Sequence, residues 1–554
     1  MIETAPSKKS NRFEIIALFF IATAAFIYFT GGAIFNPTNV EWLYWGDPAT
    51  SYLGWQFFRD TGLFQFPLGA TPNYGVGFAT SIMYTDSLPI IAIPLKFLSP
   101  LLPDQFQYFG AWIYASFFLQ GYFAWKLLKR SIEAPMVRVI ASTLFLIAPI
   151  FLYRLVHEGS GHIGLFGQFL VLWAINLHFA QGIDKRSWLV LIAISIFTCV
   201  ALFPIVFFIF ALSQAFKFFW KASDARLAIL FHFLCAVTLS LLFLWVSGGF
   251  SVNDTRSSGL GVYRSSLTSL IDSAAHRDFA WSGLFPNVSD FPGSQEGFAF
   301  LGLAALVLFP FTVIALIRAN GFDKHRSVLV ISLILAVVAL SNKISIANHE
   351  LFSYPIPSVL SPVFDSLRAS GRFTWPLVYV LLLQGLRGLY ITLRSRIPKN
   401  GMVAIIASLL ALQLIDMRIA SSEIRERFVE IGFSASLTDP KWNELAKQYD
   451  RLVAVPPLNN DPGWFELALL ADKWHMTSNA AYYGRIDENR LVSENDRLQT
   501  VLNEQKFDSS TLYVITNYPP NPASPILLDQ YQDVAANSPG THVYELDGFV
   551  VVAP

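Results

Sequence analysis

Long apolar stretches separated by short polar or basic segments dominate the first three quarters of the chain. A transmembrane helix needs about 20 predominantly apolar residues to cross a hydrocarbon core of about 30 Å. The pattern therefore predicts an α-helical polytopic membrane domain over residues 1–417, with about 11 transmembrane helices, two of which are separated by Pro204. The apolar stretches are 15–35, 108–128, 136–155, 163–180, 188–203, 204–220, 227–247, 298–317, 327–341, 374–392 and 402–417.

A further apolar segment, 88–102, is short and carries Pro89, Pro94, Lys96 and Pro100. If this segment does not cross the membrane, the basic clusters between the longer apolar stretches all lie on the same side of the membrane as the N-terminus. This is the cytoplasmic side according to the positive-inside rule. We therefore predict that it lies at the outer interface and that the N-terminus is cytoplasmic. The outer face then receives loops 36–107, 248–297 and 342–373, the turn 156–162 and the tail from 418 onward.

The tail changes to the composition of a soluble domain. Residues 451–455, 511–516 and 548–552 have the β-branched and alternating pattern of strands, and 464–471 has helical spacing. We predict a small C-terminal α/β domain over 418–554, on the extracytoplasmic side of the membrane.

Composition identifies lipid as the main solvent of this chain. Hydrophobic residues make up 54% of the sequence and charged residues only 14%, which exceeds what a water-soluble globule can bury. The formal net charge is zero and no long basic run occurs, so nothing indicates nucleic-acid binding. Cys199 and Cys235 lie inside apolar stretches, without metal-ligand or disulfide spacing, and are predicted to be packing residues.

Aromatic side chains surround a few charges in the first outer loop, at residues 41–59. Rings beside carboxylates suit a sugar-binding or interfacial site, and the candidate residues here are Asp47, Trp55 and Arg59. The structural alternative is an aromatic belt in which Asp47 caps a helix that begins at Pro48.

Four ionisable residues follow the third apolar stretch in one short turn: Arg154, His157, Glu158 and His162. Ionisable groups at the membrane edge are costly and are often functional. The two histidines stand five positions apart across glycines, which is not the helical zinc-binding spacing. We therefore favour hydrogen bonding to a substrate or to neighbouring loops over metal binding.

Two other outer segments have both a functional and a structural interpretation. Arg368 and Arg372 stand four positions apart and could present two guanidinium groups to a lipid phosphate, or anchor the next helix by snorkelling. Asp86 precedes the interfacial segment and could be a second carboxylate at the same cavity as Asp47, or a helix cap.

Several short runs together resemble a known family. They are Gly46-Asp47-Pro48, Tyr52-Leu-Gly-Trp55-Gln-Phe-Phe-Arg59, Phe66-Pro-Leu-Gly69, Ser81-Ile, Thr85-Asp86-Ser-Leu-Pro89, Phe106-Gln-Tyr-Phe109 and Arg368-Ala-Ser-Gly-Arg-Phe373. In these runs the chain resembles an uncharacterised family of bacterial polytopic membrane proteins related to the GT-C glycosyltransferases. The resemblance covers residues from about 15 to 417.

This resemblance implies a membrane glycosyltransferase of the bacterial cytoplasmic membrane. GT-C enzymes transfer a sugar, with inversion, from a polyprenyl-phosphate carrier on the outer face, here to a glycan, lipid or protein acceptor. Mapped onto this chain, the base in the first outer loop would be Asp47. The leaving phosphate would be stabilised by guanidinium groups, those of Arg368 and Arg372 with Arg59 or Arg154. The paired acid-x-acid motif of parts of the superfamily is absent, so no metal ligand is assigned and a divalent cation stays open as a cofactor.

Two other classes of protein would also be polytopic. A transporter or lipid-glycan flippase should carry ionisable groups deep in several spans, or paired broken helices, whereas the charges here lie mostly at span ends. A non-catalytic subunit of a cell-envelope polysaccharide assembly system would depend on its tail and tolerate the loss of Asp47.

Overall fold

The structure, a computed structural model, is mostly helical. It describes residues 8–156, 161–180, 184–220, 223–252, 260–276, 279–285, 288, 291–318, 323–357, 359, 365, 367–430, 432–516 and 540–554. The chain divides into two compact units, each built from segments far apart in sequence, so the boundaries differ from the predicted division at residue 417. Unit 1 comprises Met1–Val40, Gln105–Leu241 and Arg256–Ile431, and unit 2 comprises Glu41–Asp104, Leu242–Thr255 and Gly432–Pro554.

Every apolar stretch predicted from hydropathy contains a helix. In chain order the helices are α1 (Lys8–Thr30), α2 (Gly46–Arg59), α3 (Pro89–Lys96), α4 (Phe109–Leu128), α5 (Pro135–Leu146), α6 (Pro149–Leu152), α7 (Phe169–Phe179), α8 (Lys185–Thr198), α9 (Phe203–Trp220), α10 (Ser223–Ser247), α11 (Leu303–Ile317), α12 (Lys324–Ala339), α13 (Trp375–Leu393), α14 (Lys399–Asp416), α15 (Arg418–Val429), α16 (Lys441–Ala446), α17 (Trp464–Lys473) and α18 (Glu488–Glu504).

Four helical segments of the described chain are long and apolar enough to cross a membrane: Asn11–Thr30, Arg226–Ser247, Ser370–Leu393 and Lys399–Asp416. A fifth candidate is the pair Pro135–Leu146 and Pro149–Leu155, which is bent by 46°. Shorter apolar helices lie at Gly164–Phe179, Phe203–Phe219 and Leu303–Ile317. These helices are those of an integral membrane protein, and the predicted count and orientation of the crossings stay predictions.

The break between α8 and α9 lies at residues 199–202, just before Pro204 and not at it. Pro204 is the second residue of α9, where a missing N–H is tolerated because the first-turn N–H groups have no intrahelical acceptor. The proline therefore marks the start of the second helix. Cys199 lies in the break and is buried, as expected of a packing residue.

Helix α3 occupies the segment that we predicted not to cross. Its eight residues span about 12 Å, well short of the hydrocarbon core. Lys96 at its end is buried, and its ammonium group donates hydrogen bonds to the Gly62 carbonyl at 2.8 Å and to the Thr61 hydroxyl. The only charge of this segment is thus used to fix the chain that follows α2.

A five-stranded sheet lies at the centre of unit 2. Its strand order is β10-β11-β9-β5-β7, with β5 parallel to β7 and β9, and β11 antiparallel to β9 and β10. The strands of the chain are β1 (Ala274–His276), β2 (Phe279–Ala280), β3 (Lys343–Ile346), β4 (His349–Ser353), β5 (Arg451–Val455), β6 (Leu458–Asn459), β7 (Thr477–Ser478), β8 (Ala480–Ala481), β9 (Thr511–Ile515), β10 (His542–Leu546) and β11 (Phe549–Ala553). The strands and the helix predicted in the tail are all present.

Helix α18 covers one face of this sheet. Leu498 and Leu502 stand one helical turn apart and form a buried cluster with Val453, Tyr513 and Val552 of the strands. The alternating strand pattern thus supplies an apolar face, and the helical pattern supplies the residues that bury it.

The first loop completes the edge of the sheet beside β7. The Val76 amide donates to the Ser478 carbonyl at 3.0 Å, and the Ser478 amide donates to the Asn73 carbonyl at 3.1 Å. The Tyr483 hydroxyl donates to the Tyr74 carbonyl at 2.7 Å. An edge strand exposes unpaired backbone groups, and here the loop satisfies them. The first loop and the tail are therefore parts of one folded unit.

Candidate functional site

Helices α2 and α17 pack against each other in unit 2. Residues from both N-terminal ends line one cavity. At the C-terminal ends, Gln56 Nε2 lies 3.5 Å from Asp472 Oδ2 and His475 Nδ1 lies 3.2 Å from Asp60 Oδ2. The first loop and the tail each contribute one wall of the cavity.

Asp47 lies in the first turn of α2 and is half-buried. Trp45 occupies the N-cap position and makes no side-chain capping hydrogen bond, so Asp47 is not the capping residue that the structural alternative required. The Tyr482 hydroxyl donates to Asp47 Oδ1 at 3.3 Å. A carboxylate in the first turn of a helix is stabilised by the helix dipole. Asp47 thus accepts a hydrogen bond from Tyr482 at the N-terminal end of α2.

Contacts on two sides fix Tyr482. Its amide donates to the Tyr74 hydroxyl at 3.0 Å, and its carbonyl accepts a hydrogen bond from the Thr50 hydroxyl of α2. Its ring packs edge-on against Trp464, with ring centroids 5.7 Å apart. The phenol is therefore directed at Asp47 by the docking of the first loop on the tail.

The cavity has a volume of about 350 Å³, within the range of about 300–1,000 Å³ for small-molecule sites. Its aromatic lining residues are Tyr44, Trp45, Phe433, Trp464 and Phe465, and its polar side chains are Ser434, Asn460, Asp461 and Glu466. No lysine or arginine occurs among these lining residues in the described chain.

Three of the aromatic rings pack together and give the cavity a rigid wall. The Tyr44 ring centroid lies 4.9 Å from that of Phe433 and 5.4 Å from that of Phe465, and the latter two lie 5.7 Å apart. Trp45 is different, since 48% of its surface is exposed. It presents an accessible ring beside a preformed wall.

Trp55 and Arg59 face the chain that follows α3. Trp55 is completely buried, and the guanidinium carbon of Arg59 lies 5.7 Å from its ring centroid. The Arg59 side chain donates hydrogen bonds to the carbonyls of Ser99, Leu102, Pro103 and Asp104, at 2.8–3.3 Å. Both residues therefore position the first loop, and their predicted substrate contacts stay predictions.

Asp86 is half-buried and has a left-handed backbone conformation, with φ of 58°. The next residue, Ser87, donates from its hydroxyl to the Ser51 carbonyl at 2.8 Å. Ser51 lies one helical turn after Asp47, so this bond attaches the turn that carries Asp86 to the N-terminal half of α2. Asp86 thus belongs to the same unit and the same helix surroundings as Asp47.

In unit 1, Arg154 and Arg372 meet at one carboxylate, that of Glu296. Arg372 binds it through two hydrogen bonds, from Nε to Oε2 at 2.8 Å and from Nη2 to Oε1 at 2.6 Å. Arg154 Nη1 donates to Oε2 at 3.1 Å. All three residues are buried, so both guanidinium groups bind the same carboxylate away from solvent.

Two glycines allow this approach. A Cβ atom on Gly371 would lie 2.5 Å from the Gly297 Cα, and a Cβ atom on Gly297 would meet the Arg264 carbonyl. Only glycine at both positions allows these two backbone segments to come so close. Because Gly297 follows Glu296 and Gly371 precedes Arg372, the close approach places the carboxylate against the guanidinium group.

Arg154 also contacts aromatic rings. Its guanidinium carbon lies 4.9 Å from the Trp375 ring centroid and 5.0 Å from that of Tyr153, which is the geometry of cation–π interactions. Its Nε and Nη2 atoms have no hydrogen-bond partner within the described parts of the chain. The burial of this charge therefore depends strongly on Glu296 and the two rings.

Fewer contacts are described for the remaining candidate residues. His157 and Glu158 lie outside the described residues. The His162 amide donates to the Arg154 carbonyl at 2.8 Å, and its side chain is half-buried, as is that of Arg368. Among the described residues, no three His, Cys, Asp or Glu side chains come together as metal ligands.

The family of the chain follows from comparison with known sequences. A domain of unknown function, DUF6311, matches residues 19–418, and the DUF6311 C-terminal domain matches residues 441–554. The chain belongs to the DUF6311 family. This confirms the expected membership of an uncharacterised family. No curated protein matches the sequence.

Solved structures similar to this DUF6311 chain include an archaeal oligosaccharyltransferase and ArnT. The apo oligosaccharyltransferase of Archaeoglobus fulgidus aligns with 92% of this chain and 70% of its own, at 11% identity and a TM-score of 0.45. The oligosaccharyltransferase AglB of Archaeoglobus fulgidus, in complex with an inhibitory peptide and a dolichol-phosphate, aligns with 91% of this chain and 69% of its own, at 10% identity and a TM-score of 0.46. Apo ArnT of Cupriavidus metallidurans aligns with 96% of this chain and 97% of its own, at 10% identity and 0.49. Because the identities are 10–11% and the TM-scores are below 0.5, we assign no residue by comparison with these structures.

Tyr482 and Glu296 were not predicted from the sequence. Tyr482 lies in a tail segment with no charged neighbour except Arg485, and its role depends on a contact across 435 positions. Glu296 did carry a signal, because it is a lone acid directly before the apolar stretch 298–317. An acidic side chain at a membrane edge usually pairs with a basic or hydrogen-bonding group, but hydropathy does not identify that group.

Replacing Glu296 by Gln should strongly destabilise the DUF6311 protein. Removing one partner of a buried ion pair costs about 3–5 kcal/mol, because the other charge remains buried without compensation. Thermal unfolding of the full-length protein in detergent should show a lower Tm. The matched control is Glu133→Gln, which breaks an exposed pair with Arg394 and should change little. Equal shifts in the two variants would contradict the structural role of Glu296.

Asp472 should make unit 2 less stable as the pH rises. Burial and the neighbouring charge of Asp60 raise the pKa of Asp472 to about 7, whereas an unfolded aspartate has a pKa of about 3.9. Between these values the folded chain binds the proton more tightly than the unfolded chain, so stability falls over this interval as the pH increases.

Hydrogen exchange of α17 at pH 5 and pH 7.5, corrected for intrinsic rates, measures this effect. Protection should decrease at the higher pH in the parent protein, and Asp472→Asn should remove the difference. Asp496→Asn, at an exposed position on α18, should leave the difference in place. An Asp472→Asn variant with unchanged pH dependence would assign the effect to another group.

Proposed function

We propose that this protein is a membrane glycosyltransferase that moves a sugar from a polyprenyl-phosphate donor to an acceptor hydroxyl, with Asp47 as the base. The observation that carries the proposal is the placement of Asp47, a half-buried carboxylate held by Tyr482 beside a preformed cavity. A carboxylate within reach of an acceptor hydroxyl is the arrangement that general-base catalysis needs.

The proposed reaction is a single displacement. As the acceptor oxygen attacks the anomeric carbon, its proton passes to the Asp47 carboxylate. The bond between the anomeric carbon and the phosphate oxygen breaks on the opposite face, so the configuration inverts. Polyprenyl phosphate leaves as an anion and needs no proton, so the reaction requires one base and stabilisation of the departing charge.

We assign the donor phosphate to Arg368 and Arg372 with Arg59 or Arg154, as the resemblance to the GT-C glycosyltransferases implies. Guanidinium groups bind phosphate in the same forked geometry as carboxylate. We place the reaction at the outer face of the bacterial cytoplasmic membrane. The proposed acceptor is a glycan, a lipid or a protein. Whether the reaction uses a divalent cation is left open.

Asp47→Asn should abolish transfer while the protein stays folded, because the amide cannot accept the proton. General-base catalysis contributes about 10²–10⁴-fold, and the rate should fall by a factor in that range. The measurement is release of polyprenyl phosphate from a panel of polyprenyl-phosphate hexoses by the purified full-length protein, with Tm as the folding check.

The matched control is Asp104→Asn, at an exposed position of the same unit, and it should retain the parental rate. Full activity of Asp47→Asn would reject the base. A parent protein that moves the donor lipid across vesicles without cleaving it would indicate a flippase. Neither cleavage nor movement would favour a non-catalytic subunit.

Arg368→Gln should raise the donor concentration needed for half-maximal rate by about tenfold or more, since a hydrogen bond to a charged group contributes about 1.5–3 kcal/mol. The substitution leaves the bonds of Arg154 and Arg372 to Glu296 in place. Arg394→Gln, on an exposed arginine, is the control. A donor dependence that is the same in both variants would remove Arg368 from the phosphate site.

A further inference from the structure

The charges around the cavity indicate the charge of the ligand that it favours. Asp461 and Glu466 line it, Asp47 lies one residue after the lining residue Gly46, and no lining residue of the described chain is lysine or arginine. The positive ends of the two helix dipoles are already matched by Asp47 and Glu466 in their first turns. The negative charge of Asp461 and Glu466 therefore makes this cavity less favourable for a phosphate or another anion than for an uncharged ligand.

The lining also has the two surfaces that a sugar ring requires. A pyranose has apolar C–H faces and a rim of hydroxyl groups, so it pairs with an aromatic ring on a face and with carboxylates or amides at its edge. Here Trp45 supplies an accessible ring, and Asn460, Asp461 and Glu466 supply hydrogen-bonding groups.

The polar part of the cavity is held in place by its own hydrogen bonds. The Asn459 amide donates to Asp461 Oδ2 at 2.9 Å, and the Trp464 amide donates to the Asp461 carbonyl at 3.1 Å. The turn that carries Asn460 and Asp461 is therefore ordered before any ligand binds. A preordered site loses less entropy on binding, which is important for a small polar ligand.

We propose that this cavity is the acceptor subsite and that the acceptor is a neutral or amino carbohydrate, with one pyranose ring stacked on Trp45. This inference rests on the proposed function and narrows its acceptor from glycan, lipid or protein to glycan. The tail thus has a role in the reaction, since it supplies Asp461, Trp464 and Glu466 as well as the Tyr482 hydroxyl that holds Asp47.

Saturation-transfer NMR on the full-length protein in lipid nanodiscs tests the proposal without requiring the donor. The probes are N,N′-diacetylchitobiose, cellobiose, maltose and lactose, with inorganic phosphate and a neutral tripeptide as comparison ligands. At least one disaccharide should receive saturation at its ring C–H protons. Its affinity should fall at least tenfold in Trp45→Ala and recover in Trp45→Phe.

The matched control is Phe64→Ala, because Phe64 is 93% exposed in the same unit and does not line the cavity. It should leave sugar binding unchanged, and a Tm measurement shows that each variant is folded. Three results would overturn the inference: no saturation of any disaccharide, equal losses in Trp45→Ala and Phe64→Ala, or Trp45-dependent binding of the tripeptide or phosphate and not of a sugar.

The proposed function and this inference fail in different ways. Asp47→Asn should still bind the disaccharide, because its role is in transfer. If sugars bind through Trp45 but transfer persists in Asp47→Asn, the assignment of the base is wrong and the binding site stands. If transfer requires Asp47 but Trp45→Ala changes neither sugar binding nor the acceptor KM, the acceptor subsite is wrong and the reaction stands.

Discussion

The docking of the first loop on the edge of the tail's sheet is the constraint on which unit 2 depends. The bonds of Asn73 and Val76 to Ser478 satisfy backbone groups that would otherwise be exposed. The same docking fixes Tyr482 between Tyr74 and Thr50, and thereby directs its hydroxyl at Asp47. Without this edge pairing the cavity would lack one of its two walls, because α2 and α17 come from opposite ends of the sequence.

The two units handle charge in opposite ways. The cavity of unit 2 is lined by carboxylates and by no basic side chain of the described chain, whereas in unit 1 two buried guanidinium groups bind the carboxylate of Glu296. A buried charge is costly, and in unit 1 the cost is reduced by the bidentate bond of Arg372 to Glu296 and by the rings beside Arg154.

Much of the fold could be predicted because it depends on local patterns. Apolar length located the helices, and β-branched alternation located strands β5, β9 and β11. Aromatic density and resemblance led to Asp47. The partners of the candidate residues could not be predicted in this way, since Tyr482 is 435 positions from Asp47 and Glu296 is 142 from Arg154. Hydropathy and spacing carry no information on such pairs, which depend on how the whole chain folds.

The composition of unit 2 also sets the order in which the protein matures. A ribosome adds about 5–20 residues per second, so the tail that holds Asp47 emerges roughly 20–90 s after Asp47 itself. During that interval the membrane helices can insert, but the Asp47 carboxylate has no Tyr482 beside it. A chain that stalls before the tail would reach the membrane without a completed cavity, so the site forms only once the tail has been made.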